Sequence, residues 1–153
     1  MPPEPEELIE TKLVAIIAQA LPAFSVEGTI APGLAGDVKT CDDSYVNVKV
    51  DQNEPLLHSK TPLTPTSYAV TVAVHCTFAD DKDGNLFRDT CRKVRDALNH
   101  LQGDGCALVT SEAWRCDDFV IDSTKTDLEE SESGEGMVKN YNCTIWGKAL
   151  ATN

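Results

Sequence analysis

Asp81 and Asp83, followed by Gly84, are the residues whose types and spacing come nearest to a known chemistry, that of a calcium loop. Such a loop needs acidic ligands at its first, third and fifth positions, Gly at the sixth and a bidentate Glu at the twelfth. With Gly84 at the sixth position, the first is Ala79 and the twelfth is Thr90. Both end ligands are missing. A turn whose Asp caps the following helix accounts for the same residues. Three histidines, His58, His75 and His100, are too scattered to form a metal site. Six cysteines (Cys41, Cys76, Cys91, Cys106, Cys116 and Cys143) form no CxxC pair and stand at no zinc spacing from a histidine. Cys76, Cys91 and Cys143 occupy apolar positions, so most of the six read as small free hydrophobes rather than disulfide partners. His75 with Cys41 or Cys116 is the one conceivable nucleophile–base pair, and no nucleophile signature surrounds either thiol. No phosphate loop, GxSxG or HExxH occurs. The Asn142-Cys143-Thr144 sequon lies inside a strand pattern and reads as a chance match. The expectation is a protein that is not an enzyme and takes no cofactor or metal.

One charge pattern stands apart. Arg88, Arg92, Lys93 and Arg95 fall within one short segment, and the three arginines share a helical face. The plain reading is a solvated face with the local pairs Asp89–Lys93 and Arg92–Asp96. The sharper reading is half of a subunit interface. Its other half would be the acidic segment 127–136, with Asp127, Glu129, Glu130, Glu132 and Glu135, on the next copy. Such a head-to-tail contact closes rings.

The elements that position these residues follow from periodicity. Glu6 to Leu21 has helical spacing, with Ile9, Leu13, Ile16, Ile17 and Ala20 on one face. Glu6, Glu7 and Glu10 crowd its N-terminal end, where the helix dipole favours negative charge. Phe24, Val26 and Ile30 alternate weakly, and Tyr45 to Val50 alternates clearly. Residues 51–66 read as a long polar loop containing Pro55, Pro62 and Pro65. Tyr68, Val70, Val72, Val74, Cys76 and Phe78 then point one way along a strand, with a small, polar reverse face. That face is expected to be bare or to meet another subunit. A second helix over Asn85 to Gln102 buries Phe87, Cys91, Val94, Leu98 and Leu101. Leu108–Trp114 and Phe119–Ser123 read as short strands, 127–136 as an acidic loop, and Met137–Ala149 as a closing strand. The fold expected is α+β, a mainly antiparallel sheet packed against two helices with long loops. One domain is expected over residues 1–153, with residues 1–5 as a proline-rich lead-in.

The balance of 13 Lys and Arg against 25 Asp and Glu, a formal charge of −12, opposes sequence-specific nucleic-acid binding and docking on an anionic membrane. The acidic start is unlike a signal peptide and no apolar run is long enough to span a bilayer, which points to a reducing cytosol.

Tyr-Ala-Val-Thr-Val-Ala-Val-His-Cys-Thr-Phe running into Ala-Asp-Asp-Lys-Asp-Gly and an amphipathic helix ending Val-Arg-Asp-Ala-Leu resembles the tail-terminator and neck (head–tail joining) proteins of tailed bacteriophages. The helix over Leu8–Leu21, the loop after the Tyr45 strand and the closing Tyr-Asn-Cys-Thr-Ile-Trp-Gly also resemble that layout, which spans most of the chain. The resemblance implies a virion protein assembled in the host cytoplasm. It implies a homohexameric ring that caps the tail tube, stops its growth and docks on the connector. Its partners would be further copies of itself, the tail-tube protein and the connector or neck proteins. Independently, an acidic ring would repel the DNA passing through it. The alternatives are a tail-tube or head-completion protein and, in another class, a small ligand-binding or enzymatic α+β domain.

Overall fold

A computed structural model describes residues 5–21, 24–28, 44–52, 66–79, 81, 84–102, 105–106, 109–110, 114–131 and 134–149. In chain order the elements are α1 (Pro5–Ala20), β1 (Ser25–Gly28), β2 (Tyr45–Gln52), β3 (Thr66–Thr77), α2 (Asn85–His100), β4 (Trp114–Ser131) and β5 (Gly134–Ala149). The strands form one sheet in the order β1-β2-β3-β5-β4. Only β1 and β2 run parallel; the other neighbours are antiparallel. Two helices and a mainly antiparallel sheet make this the expected α+β fold. Among the described residues no helix is long and apolar enough to cross a membrane.

The sheet is covered on one face. Val46, Val48 and Val50 of β2 join Tyr68, Val70, Val72 and Val74 of β3 and Tyr141, Cys143 and Ile145 of β5 in the core. Ile9, Leu13 and Ile17 of α1 and Cys91, Val94 and Leu98 of α2 close over them. Burying these side chains against each other is the main favourable contribution to the fold, at about 25 cal/mol per Å² of apolar surface. Tyr68 meets Trp114 edge-on, with ring centroids 5.7 Å apart. The Tyr141 hydroxyl donates to the Cys91 carbonyl of α2 at 2.8 Å and ties that helix to the sheet centre.

Glu10, one of the three glutamates at the N-terminal end of α1, is 1% exposed. Its carboxylate lies over Gly28 of β1, in the space that any side chain at that position would fill. The helix dipole accounts for charge at this end of α1, while the missing Cβ of Gly28 accounts for its burial.

The expected loop 51–66 reduces to residues 53–65, which lie outside the described residues; Asp51 and Gln52 belong to β2 and Thr66 to β3. Of the lead-in 1–5, Pro5 begins α1 and the rest lies outside. The second half of the chain requires three corrections. The expected short strand Leu108–Trp114 is not found: Val109 and Thr110 belong to no strand, Trp114 begins β4, and residues 108 and 111–113 lie outside the described set. Phe119–Ser123 is no separate short strand; it belongs to one 18-residue strand from Trp114 to Ser131. The inward residues of β4 are Trp114, Cys116, Phe119, Ile121 and Thr124, because extra residues enter at Asp117 and Asp122. These are β-bulges, each inserting one residue and slipping the alternation by one. The expected acidic loop 127–136 is likewise the end of a hairpin. Glu130 pairs with Glu135 and Ser131 with Gly134 across its two strands. Residues 132 and 133 lie outside the described set.

Candidate functional site

The start of α2 is built by Asp81 and Gly84. Gly84 stands at the N-cap with φ +80°, a left-handed conformation that costs a glycine little. Asp81 Oδ1 accepts the Leu86 N–H at 3.0 Å and Oδ2 accepts the Phe87 N–H at 2.8 Å. Both carboxylate oxygens therefore satisfy helix N–H groups that have no partner within the helix. This is the expected cap. Asp83 lies outside the described residues.

The conceivable dyads are not assembled. His75 lies on the open face of β3 and stacks on Tyr45, ring centroids 4.3 Å apart at 9°. Cys116 is buried on the opposite, covered face. In register it aligns through Gly147 with Thr66, nine residues and about 30 Å along β3 from His75. Cys41 and His58 lie outside the described residues, and His100 is exposed in the last turn of α2. Cys76, Cys91, Cys106, Cys116 and Cys143 are buried and joined in no disulfide. Burial pushes the Cys91 and Cys116 thiols up, and with help from the nearby Asp122 charge it pushes Cys143 up to about 12. The proton is held on these thiols, the opposite of what a nucleophile needs. Among the described residues no group of three or more His, Cys, Asp or Glu side chains is placed to hold a metal ion.

The charged residues are where the structure departs most from a featureless surface. Arg88, Arg92 and Arg95 are exposed on α2 and line a groove of about 850 Å³. Its opposite wall is Thr126 of β4 with Met137, Lys139 and Tyr141 of β5. Lys93 is also exposed but does not line the groove; it pairs with Asp89 Oδ2 at 3.1 Å. Arg92 reaches the other oxygen of Asp89 at 2.6 Å, so the expected Arg92–Asp96 pair is replaced by an i,i+3 pair. Asp96 accepts from Arg95 at 3.5 Å. The Lys93 hydrogen bond, with Arg92 beside it, holds the Asp89 carboxyl below its ordinary range. Lys139 Nζ lies 5.5 Å from the centre of the Tyr141 ring. Burial and the Cys91 contact push the Tyr141 hydroxyl up, so it stays a neutral donor.

The acidic residues continue along the hairpin from the Thr126 and Met137 wall of this groove. Asp127 is in β4, with Lys125 Nζ at 3.7 Å. Glu130 and Glu135 are exposed and directly opposed on the hairpin. Glu129 is a β4 residue paired with Gly136, and Glu132 lies outside the described residues. Sequence reasoning missed three parts of this surface. Lys139 and Met137 complete the groove wall, and Leu128 stands 73% exposed opposite Met137. An isolated Leu in an acidic run was the available signal. The open face of the sheet carries Ser67, Ala69, Thr71, His75 and Thr77 from β3 and a 36%-exposed Trp146 from β5.

Fold and surface together define a class: an α+β protein with one sheet face covered by two helices, a second face that no described helix covers, and an arginine-lined groove beside a long hairpin. Two solved structures share the fold. One is a chain of a virion of the native gene transfer agent particle, at TM-score 0.57 and 16% identity, covering 93% of this chain and 93% of that one. The second, at TM-score 0.51 and 10% identity, covers 96% of this chain and 94% of its counterpart. No protein-family model matches the chain, and no curated protein matches it in sequence.

Proposed function

We propose that the chain is a structural protein of a tailed, phage-like particle, located in the virion and not catalytic. Within that class we propose a tail terminator: a homohexameric ring that caps the tail tube and joins it to the connector. The observation that carries the reading is the end-to-end fold likeness to a chain of a gene transfer agent virion, which extends over 93% of both chains. The sheet face that no described helix covers supports it, since small and polar residues around an exposed Trp146 suit packing against a neighbour. A formal charge of −12 suits a conduit that DNA must pass without sticking. A ligand-binding or enzymatic domain finds less support, because the groove is open and arginine-lined and burial holds the protons on Cys91, Cys116 and Cys143.

Light scattering with negative-stain imaging of the purified protein tests the reading. Closed rings of six copies are expected. Open tubes would replace the terminator with a tail-tube protein. A monomer at every concentration, unchanged by addition of tail tubes, would sink the ring.

A further inference from the structure

The groove and the hairpin tip carry complementary features on one molecule that cannot use them on itself. The groove presents Arg88, Arg92, Arg95 and Lys139 above the half-buried Phe87 and Met137. On a chain of net charge −12, this is a local reversal of sign. The hairpin tip presents the opposite set. By strand register Leu128, Glu130 and Glu135 share one face, with Leu128 opposite Met137 at the end of the groove wall and Glu130 opposite Glu135. Two like charges directly across a ladder are unfavourable in isolation. A leucine left 73% exposed between charged residues costs apolar hydration. Both costs are relieved if the tip enters a cationic groove with an apolar floor.

The molecule's own groove is out of reach. Its wall is the same hairpin, at Thr126, Met137 and Lys139, and the tip continues from that wall as a paired ladder in which Glu130 opposes Glu135 and the Glu135 carbonyl accepts the Phe78 N–H. Folding the tip back would break that ladder. The complementary groove therefore belongs to another copy. Because groove and tip are different surfaces, the contact is heterologous, and repeating it closes a ring when the rotation allows.

We infer that the β4–β5 tip of one copy docks in the α2–β5 groove of the next, with Glu130 and Glu135 against Arg88, Arg92 and Arg95 and with Leu128 as the apolar anchor. The inference rests on the ring reading above and specifies its contact.

The test is a charge swap on the full chain, read by sedimentation over a range of concentrations. Arg92→Glu with Arg95→Glu makes the groove acidic like the tip. Glu130→Lys with Glu135→Lys makes the tip basic like the groove. All four side chains are exposed, and circular dichroism checks that each variant folds. Each variant alone is expected to associate on the order of 100-fold more weakly than the unmodified protein, because like charges now meet. The two mixed together are expected to co-assemble. The unaltered groove of one accepts the unaltered tip of the other, and the acidic groove accepts the basic tip. Added salt should weaken assembly of the unmodified protein. Rings that persist in both variants alone would overturn this contact and leave the ring reading standing. Association abolished by either variant and restored by mixing, but in open chains, would uphold the contact and overturn the ring. A mixture that stays monomeric while the unmodified protein assembles would overturn the second copy as the groove's occupant.

Discussion

β3 and β4 are both long strands of the same sheet, and they are stabilised in different ways. β3 is central, runs from Thr66 to Thr77 without a bulge, and alternates buried valines with small polar residues. β4 is an edge strand with bulges at Asp117 and Asp122. Its first half buries Trp114, Cys116 and Phe119, whereas from Asp122 to Leu128 it is exposed throughout. One strand is held by its core. Among the described residues, the outer half of the other is held mainly by its pairing to β5. An exposed edge is a template for unwanted pairing, and bulges and charges are the usual defence. In β4 both are present, with aspartates as the bulged residues.

The contrast is sharpest in a pair of substitutions. Val72→Asp places a charge in the centre of the core and is expected to cost more than about 4 kcal/mol, enough to unfold a protein of ordinary stability. Leu128→Asp on the hairpin is expected to change stability by less than about 0.5 kcal/mol. Urea unfolding followed by tryptophan fluorescence measures both, and a large loss from Leu128→Asp would break the comparison. Within β4 itself, Trp114→Ala should cost about 3–5 kcal/mol, because it removes a fully buried ring and its edge contact with Tyr68. The same readout by circular dichroism would show whether the inner half of β4 belongs with β3.

Alkaline pH divides the molecule in the same way, since every described cysteine is in the covered part. The folded protein holds the Cys143 proton until pH about 12, whereas the unfolded chain releases it above about 9. Between those limits the unfolded state binds fewer protons than the native state. Stability is therefore complete below about pH 9 and falls as pH rises toward 12, by about 1.4 kcal/mol per unit for a single such thiol. Cys143→Ala should flatten that slope in urea unfolding series between those pH values. A modest effect is expected at the junction between the two regions. Asp81→Ala removes two hydrogen bonds at the start of α2, the helix that walls the groove, and should cost about 1 kcal/mol of thermal stability.

Much of the covered part was legible in the residues. Ile9, Leu13 and Ile17, then Val46 to Val50, then the run from Tyr68 to Cys76, and Cys91, Val94 and Leu98 all fall at helix or strand spacing and all are buried. The Asp81 cap and the face shared by Arg88, Arg92 and Arg95 were legible too, because caps and helix faces are local geometry. The hairpin was not. Asp117 and Asp122 each shift the inward positions by one, so Trp114, Cys116, Phe119, Ile121 and Thr124 show no constant period. Beyond them both faces are wet, and segment 127–131 looks like an acidic loop because nothing requires its residues to alternate in polarity.

By itself, then, the sequence determined the class of fold, the covered faces of α1, β2, β3 and α2, and the placement of positive and negative charge on separate segments. Local periodicity and composition suffice for that, since burial selects apolar residues at the period of each element. Tertiary structure alone decided that Glu10 is buried over Gly28, that His75 and Cys116 stand on opposite faces, and that Arg88, Arg92 and Arg95 face Lys139 and Met137 across one groove. It also decided that residues 127–131 are the end of a paired strand and not a loop. These outcomes depend on which strands become neighbours and in what register, and that is set by contacts between residues far apart in the chain.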